Sequence, residues 1–298
     1  MEAENEFQRR IKANFSMVQR KSDILEKVVI FGANGMLGKE LVSVFSKFYK
    51  VISLTHADLD IADEDAVSEK IFRLKPSIII NAAGYTNVDL AETERDKAFA
   101  LNAHAISYLS KAANKCGAML ATYSSDYVFS GEKDGEYDEN CEGDSPLNVY
   151  GKSKLEGEKS LKNTCKKFYL IRTSWLYGNG KNFVDTMLNS AKTEIKVVSD
   201  QIGKPTYAKD LAIATLSLIK DHPSYGTYHL VNEGELSWYD FAKKIFQIAG
   251  LNVKVTAVTS DEFKRLAKRP LNSRLLNSKR PRLRSVDKAL KSYLETKI

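Results

Sequence analysis

From Lys27 onward, short apolar runs alternate with longer amphipathic stretches, and this alternation limits the fold more than any other feature of the sequence. The apolar runs are rich in β-branched residues, which predicts strands at VVIF (28–31), VISL (51–54), SIII (77–80), AMLATYS (118–124) and FYLIR (168–172). The stretches between them predict helices through about Phe48 and over 63–73, 96–116 and 149–163. Strands that are apolar on both faces and separated by helices indicate an α/β fold with a doubly wound parallel sheet.

The regularity weakens after Arg172. Amphipathic stretches predict helices near 182–191, over 208–219 and from about Ser237 to Ala249, and apolar runs predict strands at IKVVS (195–199), TYHLV (227–231) and near 253–258. This pattern predicts a smaller, mixed α/β C-terminal domain that shares some elements with the sheet. No linker rich in Pro or Ser separates the two halves, so we expect them to pack together across a cleft.

Composition excludes several classes of protein. With 43% hydrophobic residues the chain is too apolar for a disordered protein. No apolar run approaches the ~18 residues that span a bilayer, so we predict no membrane segment. Cys116, Cys141 and Cys165 form no CxxC or CxxH pair, and no HExxH motif is present, which disfavours zinc and a disulfide framework. Reduced thiols and the lack of a secretory signal predict a cytoplasmic protein.

The first 26 residues precede the alternating pattern. Phe7, Ile11, Phe15 and Val18 recur at helical spacing, which predicts one apolar stripe along a helix. We interpret 1–26 as a helical N-terminal extension that covers a patch of the main body or binds a partner.

The net charge of +7 is concentrated near the C-terminus. Nine Lys or Arg and no acid lie between Lys264 and Arg284. This run is either a solvated basic face or a site for phosphate groups. A nucleic-acid surface is disfavoured, because no recognisable nucleic-acid-binding module accompanies the charge.

Three glycines follow the first predicted strand, in VVIFGANGMLGKEL. Gly32 permits a tight turn, Gly35 lets the backbone approach a pyrophosphate, and Gly38 allows helix and strand to pack closely. The amide groups and partial positive charge of the following helix N-terminus bind phosphates. In the first strand–helix unit, this loop predicts a dinucleotide site rather than an ordinary turn.

The end of the second predicted strand bears on the choice of dinucleotide. An acid there normally binds the adenosine ribose hydroxyls, but Ser53 to His56 include neither Asp nor Glu. Nothing in this segment rejects a 2′-phosphate, and no Arg stands there to bind one. We therefore predict NADPH as the cofactor and keep NADH open.

Tyr150 and Lys154 lie four residues apart in VYGKSKLEGEK, so their side chains share one face of a predicted helix. An ammonium beside a tyrosine favours the phenolate and lowers the pKa of the phenol from ~10. Such a pair can protonate the oxygen that forms when a hydride reaches a carbonyl carbon. The spacing alone is common, but together with the glycine loop it indicates an oxidoreductase.

Two further segments follow strands at the edge where open parallel sheets bind ligands. Ser124 and Ser125 follow the fourth strand, where a hydroxyl can bind a substrate carbonyl, and we favour Ser125. Ala82 and Ala83 follow the third strand, where small side chains let a nicotinamide lie against the backbone. Tight packing alone is the alternative for both alanines.

Together these features resemble the extended short-chain dehydrogenase/reductases and, among them, the dTDP-4-dehydrorhamnose reductase family. The likeness runs from about Lys27 to the C-terminus. It rests on the segments GANGMLG, DLDI, NAAGYTNVDLAE, SSDYVFSG, YGKSKLEGE, RTSWLYG, DQIGKPTYAKDLA, GTYHLVNEGELSWYDFA and RPLNSRLLNSK.

The resemblance implies roles for individual residues. It implies a catalytic triad of Ser125, Tyr150 and Lys154, with Ser125 where the family generally has Thr. Cofactor contacts are implied for Gly32, Gly35, Gly38, Ala82, Ala83 and the Tyr–Lys pair. They are also implied for Asn34, Met36 and Leu37 at the phosphates, for Asp60 and Ile61 at the adenine, and for Thr86 at the nicotinamide. Contacts to the sugar are implied, beside Ser125, for Val88, Asp126, Tyr127 and Trp175. The RPLNSRL stretch would lie near the nucleotide part of the substrate.

The resemblance also implies an architecture and a reaction. It implies a Rossmann-type dinucleotide-binding domain at 27–175, to which 200–231 returns in part, and a mainly sugar-nucleotide-binding domain at 176–298. The reaction would be reduction of the C4 keto group of dTDP-4-dehydro-L-rhamnose, with Tyr150 as the proton donor. A reductase of another 4-keto nucleotide sugar and a non-catalytic NADP-binding regulatory subunit stay open. Some family members dimerise through glutamate-bound magnesium; those ligands have no recognisable place here, so we predict no metal and leave a homodimer open.

Overall fold

The computed structural model describes residues 25–191 and 194–297, so the helix predicted near the N-terminus lies almost wholly outside the described residues. Twelve strands occur in the described ranges. They are β1 (Lys27–Phe31), β2 (Lys50–Leu54), β3 (Ile78–Asn81), β4 (Met119–Ser125), β5 (Phe168–Thr173), β6 (Leu176–Tyr177), β7 (Glu194–Val198), β8 (Ile202–Gly203), β9 (Thr206–Tyr207), β10 (Gly226–His229), β11 (Leu236–Ser237) and β12 (Lys254–Val258).

Nine α-helices lie in the same ranges. They are α1 (Met36–Phe45), α2 (Glu64–Leu74), α3 (Arg95–Phe99), α4 (Ala105–Cys116), α5 (Val149–Thr164), α6 (Phe183–Asn189), α7 (Ala208–Asp221), α8 (Trp238–Ile248) and α9 (Val286–Leu294). Short 3₁₀ turns add Leu90–Glu92, Asp126–Val128 and Glu295–Lys297.

Six strands form one parallel sheet in the order β10-β5-β4-β3-β1-β2. Two apolar layers cover it. On one face α1 and α7 pack against alternate residues of the strands, such as Val28 and Ile30. On the other face α2, α4 and α5 pack against the intervening residues, such as Val29 and Phe31. The predicted Rossmann-type doubly wound α/β fold is confirmed.

A second core lies outside the sheet. Helices α6, α8 and α9 pack around aromatic side chains, among them Tyr177, Tyr207, Phe241 and Tyr293. Strands β7 and β12 pair in parallel beside these helices. Helix α9, whose buried face includes Leu290 and Tyr293, has no counterpart among the predicted helices. The predicted domain boundaries stay a prediction, and β10 belongs to the large sheet although it follows β7 in the chain.

Two predicted helices differ from the structure. Helix α1 ends at Phe45 rather than near Phe48, because the Ser46 hydroxyl donates a hydrogen bond to the Val42 carbonyl (2.6 Å) as the helix stops. The single helix predicted over 96–116 is interrupted by a π-helical turn, Ala100–His104, between α3 and α4. Periodicity cannot show such a turn, because it shifts the helical spacing by one residue only.

Candidate active site

The glycine loop joins β1 to α1 and lies against the end of β3. Gly32 has a φ of +72°, and a Cβ there would lie 2.6 Å from the Ala83 nitrogen. A Cβ on Gly38 would overlap the Gly32 carbonyl oxygen. Both positions therefore require glycine, and the loops that follow β1 and β3 touch at the point where the strand order reverses. This is the position at which open α/β sheets bind ligands.

The N-terminus of α1 is suited to an anion. Its first turn contains no acid, and its N-cap residue, Gly35, has no side chain to accept a hydrogen bond from the first amide groups. Leu37 is buried, Met36 is half-buried and Asn34 is exposed. A Cβ on Gly178 would lie 3.2 Å from the Met36 Cγ, so the segment after β6 also closes against this loop. The cradle fits the pyrophosphate of a dinucleotide.

The predicted adenine and nicotinamide contacts differ in exposure. Asp60 is exposed and accepts a hydrogen bond from the Ala62 amide (2.9 Å). The Ile61 side chain is buried in the core, so it offers little surface to a ligand. Thr86 is exposed on the loop after β3, whereas Ala82 and Ala83 are half-buried against the glycine loop.

An acid lies nearer to the end of β2 than the sequence indicated. The chain turns at Thr55, and the Asp58 carboxylate accepts hydrogen bonds from the Thr55 amide (2.8 Å) and hydroxyl (2.7 Å). These hydrogen bonds lower the pKa of Asp58. The expectation of no acid among Ser53 to His56 is correct for those residues, but the turn brings a carboxylate to the same strand end.

The predicted catalytic residues lie on β4 and α5. Ser125 is the last residue of β4; its hydroxyl donates to the Asp126 carboxylate (2.8 Å) and accepts from the Tyr127 amide (3.2 Å). Tyr150 is the second residue of α5, and the Ser125 hydroxyl is close enough to lower the pKa of its phenol. The Tyr127 and Tyr150 rings meet edge to face with centroids 5.9 Å apart. Four of the predicted residues are thus brought together.

Two polar side chains place the start of α5. The Asn148 side-chain oxygen accepts a hydrogen bond from the Gly151 amide (2.8 Å), as expected of an N-cap residue. Glu92 accepts a hydrogen bond from the Val149 amide (2.8 Å). Because both bonds hold the first turn of α5, they also hold Tyr150, whose ring packs beside buried Val149.

Burial is the main influence on the pKa of Tyr150. Burial raises the pKa of Tyr150 to about 12, and the Ser125 hydroxyl only partly opposes it. Desolvation is thus the largest effect on this phenol, and the prediction that Lys154 lowers its pKa stays a prediction. The Lys154 ammonium instead donates to the Tyr123 carbonyl (3.2 Å). Burial lowers the pKa of Lys154 to about 8, against the charge of Glu158, which raises it.

Asn102 belongs to the site, although the sequence analysis missed it. It lies in the π-helical turn. Its side-chain oxygen accepts a hydrogen bond from the Tyr85 backbone nitrogen (3.0 Å). Its side-chain nitrogen donates to the Tyr85 carbonyl (3.0 Å) and to the Ser153 hydroxyl (2.9 Å). A Cβ on Gly84 would lie 2.8 Å from the Asn102 Oδ1 and 3.2 Å from the Lys154 Nζ. Asn102 therefore joins the loop after β3 to the helix that carries Lys154.

A cleft of about 1470 Å³ extends from Tyr127 between the sheet and the second core. Its far wall includes Phe183 and Trp238. Trp175 does not line this cleft directly; it has a φ of +45° and its indole stacks on Trp238, with ring centroids 3.5 Å apart. Val88 is half-buried on the loop after β3. The cleft is large enough for an extended ligand with an aromatic end.

Asp126 lies beside the inner end of the cleft. Its side chain is 2% exposed, and its Oδ2 atom has no hydrogen-bond partner among the described residues. Burial raises the pKa of Asp126 to about 7. A buried polar atom without a partner is costly, so Asp126 is suited to bind a hydroxyl group of a ligand.

The basic C-terminal run divides into two parts. The first part lines the cleft, with Lys264, Arg265, Lys268 and Arg269. The second part pairs with acids elsewhere on the surface, through Arg274–Glu235, Arg280–Asp221, Arg282–Glu233 and Arg284–Asp210. The first part is therefore placed to meet a ligand in the cleft, and the phosphate-site interpretation stays a prediction for that part.

Metal-binding clusters and membrane-spanning helices are both absent from residues 25–191 and 194–297. No group of three or more His, Cys, Asp or Glu side chains could hold a metal ion there. Nor does any helix in those ranges have the length and apolar character to cross a membrane.

Comparisons with known proteins agree on one family. A family model described as the RmlD substrate binding domain matches residues 26–296. The dTDP-4-dehydrorhamnose reductase of Aggregatibacter actinomycetemcomitans is 42% identical over 265 residues, which cover 84% of this chain and 90% of the relative. The spore coat polysaccharide biosynthesis protein SpsK of Bacillus subtilis (strain 168) is 40% identical over 279 residues, which cover 91% of this chain and 98% of the relative.

A solved structure extends this likeness to the fold. The crystal structure of dTDP-4-dehydrorhamnose reductase from Bacillus anthracis str. Ames, in complex with NADP, has a TM-score of 0.88 to this chain at 39% sequence identity. The match covers 92% of this chain and 100% of that one.

Proposed function

Because this chain belongs to the dTDP-4-dehydrorhamnose reductase family, we propose that it reduces the C4 keto group of dTDP-4-dehydro-L-rhamnose to give dTDP-L-rhamnose, with NADPH or NADH as the reductant. The observation that carries the proposal is the meeting of Ser125, Tyr150 and Asp126 at the end of β4, next to Tyr127, which lines a cleft of about 1470 Å³. Two of the relatives above are named dTDP-4-dehydrorhamnose reductases, and one of these two is described with NADP bound.

The residues around the glycine loop fit the cofactor. The amides of the first turn of α1 would bind its pyrophosphate, and Ala82 and Ala83 would lie against its nicotinamide half. Lys154 would hold the ribose beside the nicotinamide. When bound, the reduced nicotinamide supplies a hydride to the substrate carbonyl carbon.

The remaining chemistry is a proton transfer by this chain's own residues. With a pKa of about 12, Tyr150 holds its proton at neutral pH and can donate it to the C4 oxygen as that oxygen gains negative charge. Ser125 would donate a hydrogen bond to the same oxygen, in exchange for its bond to Asp126. The protonated Lys154 would stabilise the phenolate that Tyr150 leaves behind.

The cleft suits the rest of the substrate. Asp126, with an unpartnered oxygen, would accept a hydrogen bond from a sugar hydroxyl, and Tyr127 would border the sugar. The Trp238 ring, with Trp175 stacked behind it, offers an aromatic surface for the base. Val88 and Trp175 stay predicted sugar contacts.

The direct test is turnover with the named substrate. Purified protein, supplied with dTDP-4-dehydro-L-rhamnose generated in situ, should oxidise NADPH, measured as loss of its absorbance, and NADH should be compared. Turnover with a different 4-keto nucleotide sugar but not with this one would replace the substrate assignment. Binding of NADPH without turnover of any such sugar would favour the regulatory subunit.

The pH dependence of this reaction should show a basic limb near pH 8. Lys154 carries its charge below its pKa of about 8 and loses it above, so the phenolate of Tyr150 becomes harder to form as the pH rises. We expect kcat/KM to fall about tenfold for each pH unit above this value. Lys154→Arg, whose charge does not titrate in this range, should be less active but should lack the limb. A wild-type profile that stays flat to pH 10 would contradict the role given to Lys154.

A further inference from the structure

One carboxylate links the loop after β3 to the C-terminal wall of the cleft. We use the name cleft strap for residues 260–271, which contain no helix or strand and line the cleft for most of their length. Asp89 accepts two hydrogen bonds from the Arg269 guanidinium (both 2.7 Å) and one from the Ala267 amide (3.1 Å). Arg265 also lies within ion-pair distance of it, at 3.5 Å. Three residues of the cleft strap therefore converge on Asp89.

The Asp89–Arg269 pair is connected to Tyr150 through one intermediate residue, Tyr127. Arg269 is hydrogen-bonded to Asp89 and lines the cleft with Tyr127. Burial raises the pKa of Tyr127, the charge of Arg269 lowers it, and the Tyr127 ring packs edge to face on Tyr150. A planar guanidinium held by two parallel bonds has a defined orientation, which a single contact would not give. Asp89 thus orients the guanidinium whose charge acts on Tyr127.

Other hydrogen bonds of the cleft strap are made by the Ser260 side chain and by the backbone of the strap. The Ser260 hydroxyl donates to the Asp200 carboxylate (2.7 Å) and accepts from the Gln201 side-chain amide (2.8 Å). The Asn148 side-chain amide donates to the Lys268 carbonyl (2.7 Å), and the Ile202 backbone nitrogen donates to the Leu271 carbonyl (2.8 Å). The side chains of Phe263 and Leu266 are 44% and 63% exposed, although both border the cleft. The cleft strap therefore has little core of its own, and its position depends on these polar contacts.

Charge favours an anionic ligand under the cleft strap. Asp89 neutralises Arg269 and faces Arg265, whereas Lys264 and Lys268 make no ion pair within the described part of the chain. Both lysines line the cleft that extends from Tyr127 to Trp238. A nucleoside diphosphate between these ends would bring its negative charge to the lysines.

We propose that Asp89 is a positioning residue for the nucleoside-diphosphate part of the substrate. It holds the cleft strap against the cleft and Arg269 against Tyr127, so that the substrate binds with its reacting carbon at Tyr150. This inference rests on the proposed function for the identity of the substrate. It assigns Asp89 no contact with the cofactor, whose cradle lies at α1.

The test compares Asp89→Asn with the wild type in binding and in turnover. The variant keeps the shape of the side chain and removes its charge, so the bidentate pair with Arg269 is lost. We expect the Kd for dTDP, measured by titration calorimetry, and the KM for the keto sugar to rise about tenfold, equivalent to about 1.4 kcal/mol. The Kd for NADPH should change less than about twofold. Asp89→Glu, which keeps the charge, should recover part of the loss.

Asp221→Asn is the matched control. Asp221 pairs with Arg280 at the end of α7, away from the cleft, so the same substitution should change neither dTDP binding nor KM. A role of Asp89 in stability alone would affect NADPH and dTDP binding alike, and that result would overturn the proposal. Arg269→Gln gives a second route to the same answer: it should weaken dTDP binding to a similar degree, and the double variant should be no weaker than either single one.

The outcomes separate this inference from the proposed function. Asp89-dependent binding of dTDP by a protein that does not reduce the keto sugar would support the inference and remove the function. If the wild type reduces the keto sugar and Asp89→Asn binds dTDP as tightly as the wild type does, the proposed function stands and the inference is overturned. A wild type that binds no dTDP would overturn the inference outright.

Discussion

Replacing Tyr150 with Phe should lower kcat about a thousandfold and leave the Kd for NADPH within about twofold of the wild-type value. The substitution removes only the phenol oxygen, and the ring keeps its packing beside Val149 and Tyr127. The carbonyl oxygen of the substrate then has no proton donor, although Ser125 can still donate a hydrogen bond. Stopped-flow measurement of NADPH oxidation at saturating substrate gives kcat directly, and quenching of protein fluorescence gives the Kd.

Tyr228→Phe is the control for removing a phenol oxygen. The Tyr228 hydroxyl donates to the Ser224 carbonyl (2.6 Å) on the far edge of the sheet, at β10, so its loss should affect stability slightly and kcat not at all. Retention of more than about a tenth of wild-type kcat by Tyr150→Phe would be inconsistent with Tyr150 as the principal donor. The proton would then have to come from another group or from water.

Much of the fold follows from local sequence patterns. The predicted ends of every strand in the large sheet lie within two residues of the observed ends, because buried parallel strands are short, apolar and β-branched. The glycine loop could be predicted for a different reason. Gly32 has a positive φ, and Gly38 lies so close to the Gly32 carbonyl that neither position tolerates a side chain. Such requirements depend on neighbours in the chain, and a sequence records them directly.

The features that the sequence did not reveal depend on residues far apart in the chain. Asp89 and Arg269 are 180 residues apart, and no pattern joins them. Asp58 reaches the end of β2 only because the chain turns at Thr55. The helix spacing placed Tyr150 and Lys154 on one face correctly, but it could not show how deeply they are buried, and burial determines the pKa of both.

Among residues 25–191 and 194–297, the most buried ion pair holds the helix that carries Lys154. Arg172 on β5 is completely buried, and Glu158 on α5 is 2% exposed. The guanidinium donates two hydrogen bonds to the carboxylate (2.9 and 2.7 Å) and a third to the Cys141 carbonyl (2.8 Å). Glu158 follows Lys154 by one helical turn, and its charge raises the pKa of that lysine. The pair therefore joins the sheet to the catalytic helix by packing and by charge.

Removing one partner of this pair should be far more harmful than removing both. Arg172→Met leaves the Glu158 carboxylate buried without its counter-charge, and we expect the free energy of unfolding, from urea denaturation, to fall by about 3–5 kcal/mol. Adding Glu158→Leu replaces the pair with apolar groups of similar volume and should restore most of that loss. A single variant as stable as the wild type would contradict the importance of the pair.

The stable double variant then isolates the effect of charge on catalysis. Without Glu158, nothing in the pair opposes the effect of burial on Lys154, so its pKa should fall below about 8 and the basic limb of kcat/KM should move to lower pH. Tyr150 and Ser125 are unchanged, so kcat on the acidic side of the limb should stay close to the wild-type value. An unmoved limb in a folded double variant would show that the limb belongs to a group other than Lys154. That result would remove the ammonium from the proposed proton transfer while leaving Tyr150 as its donor.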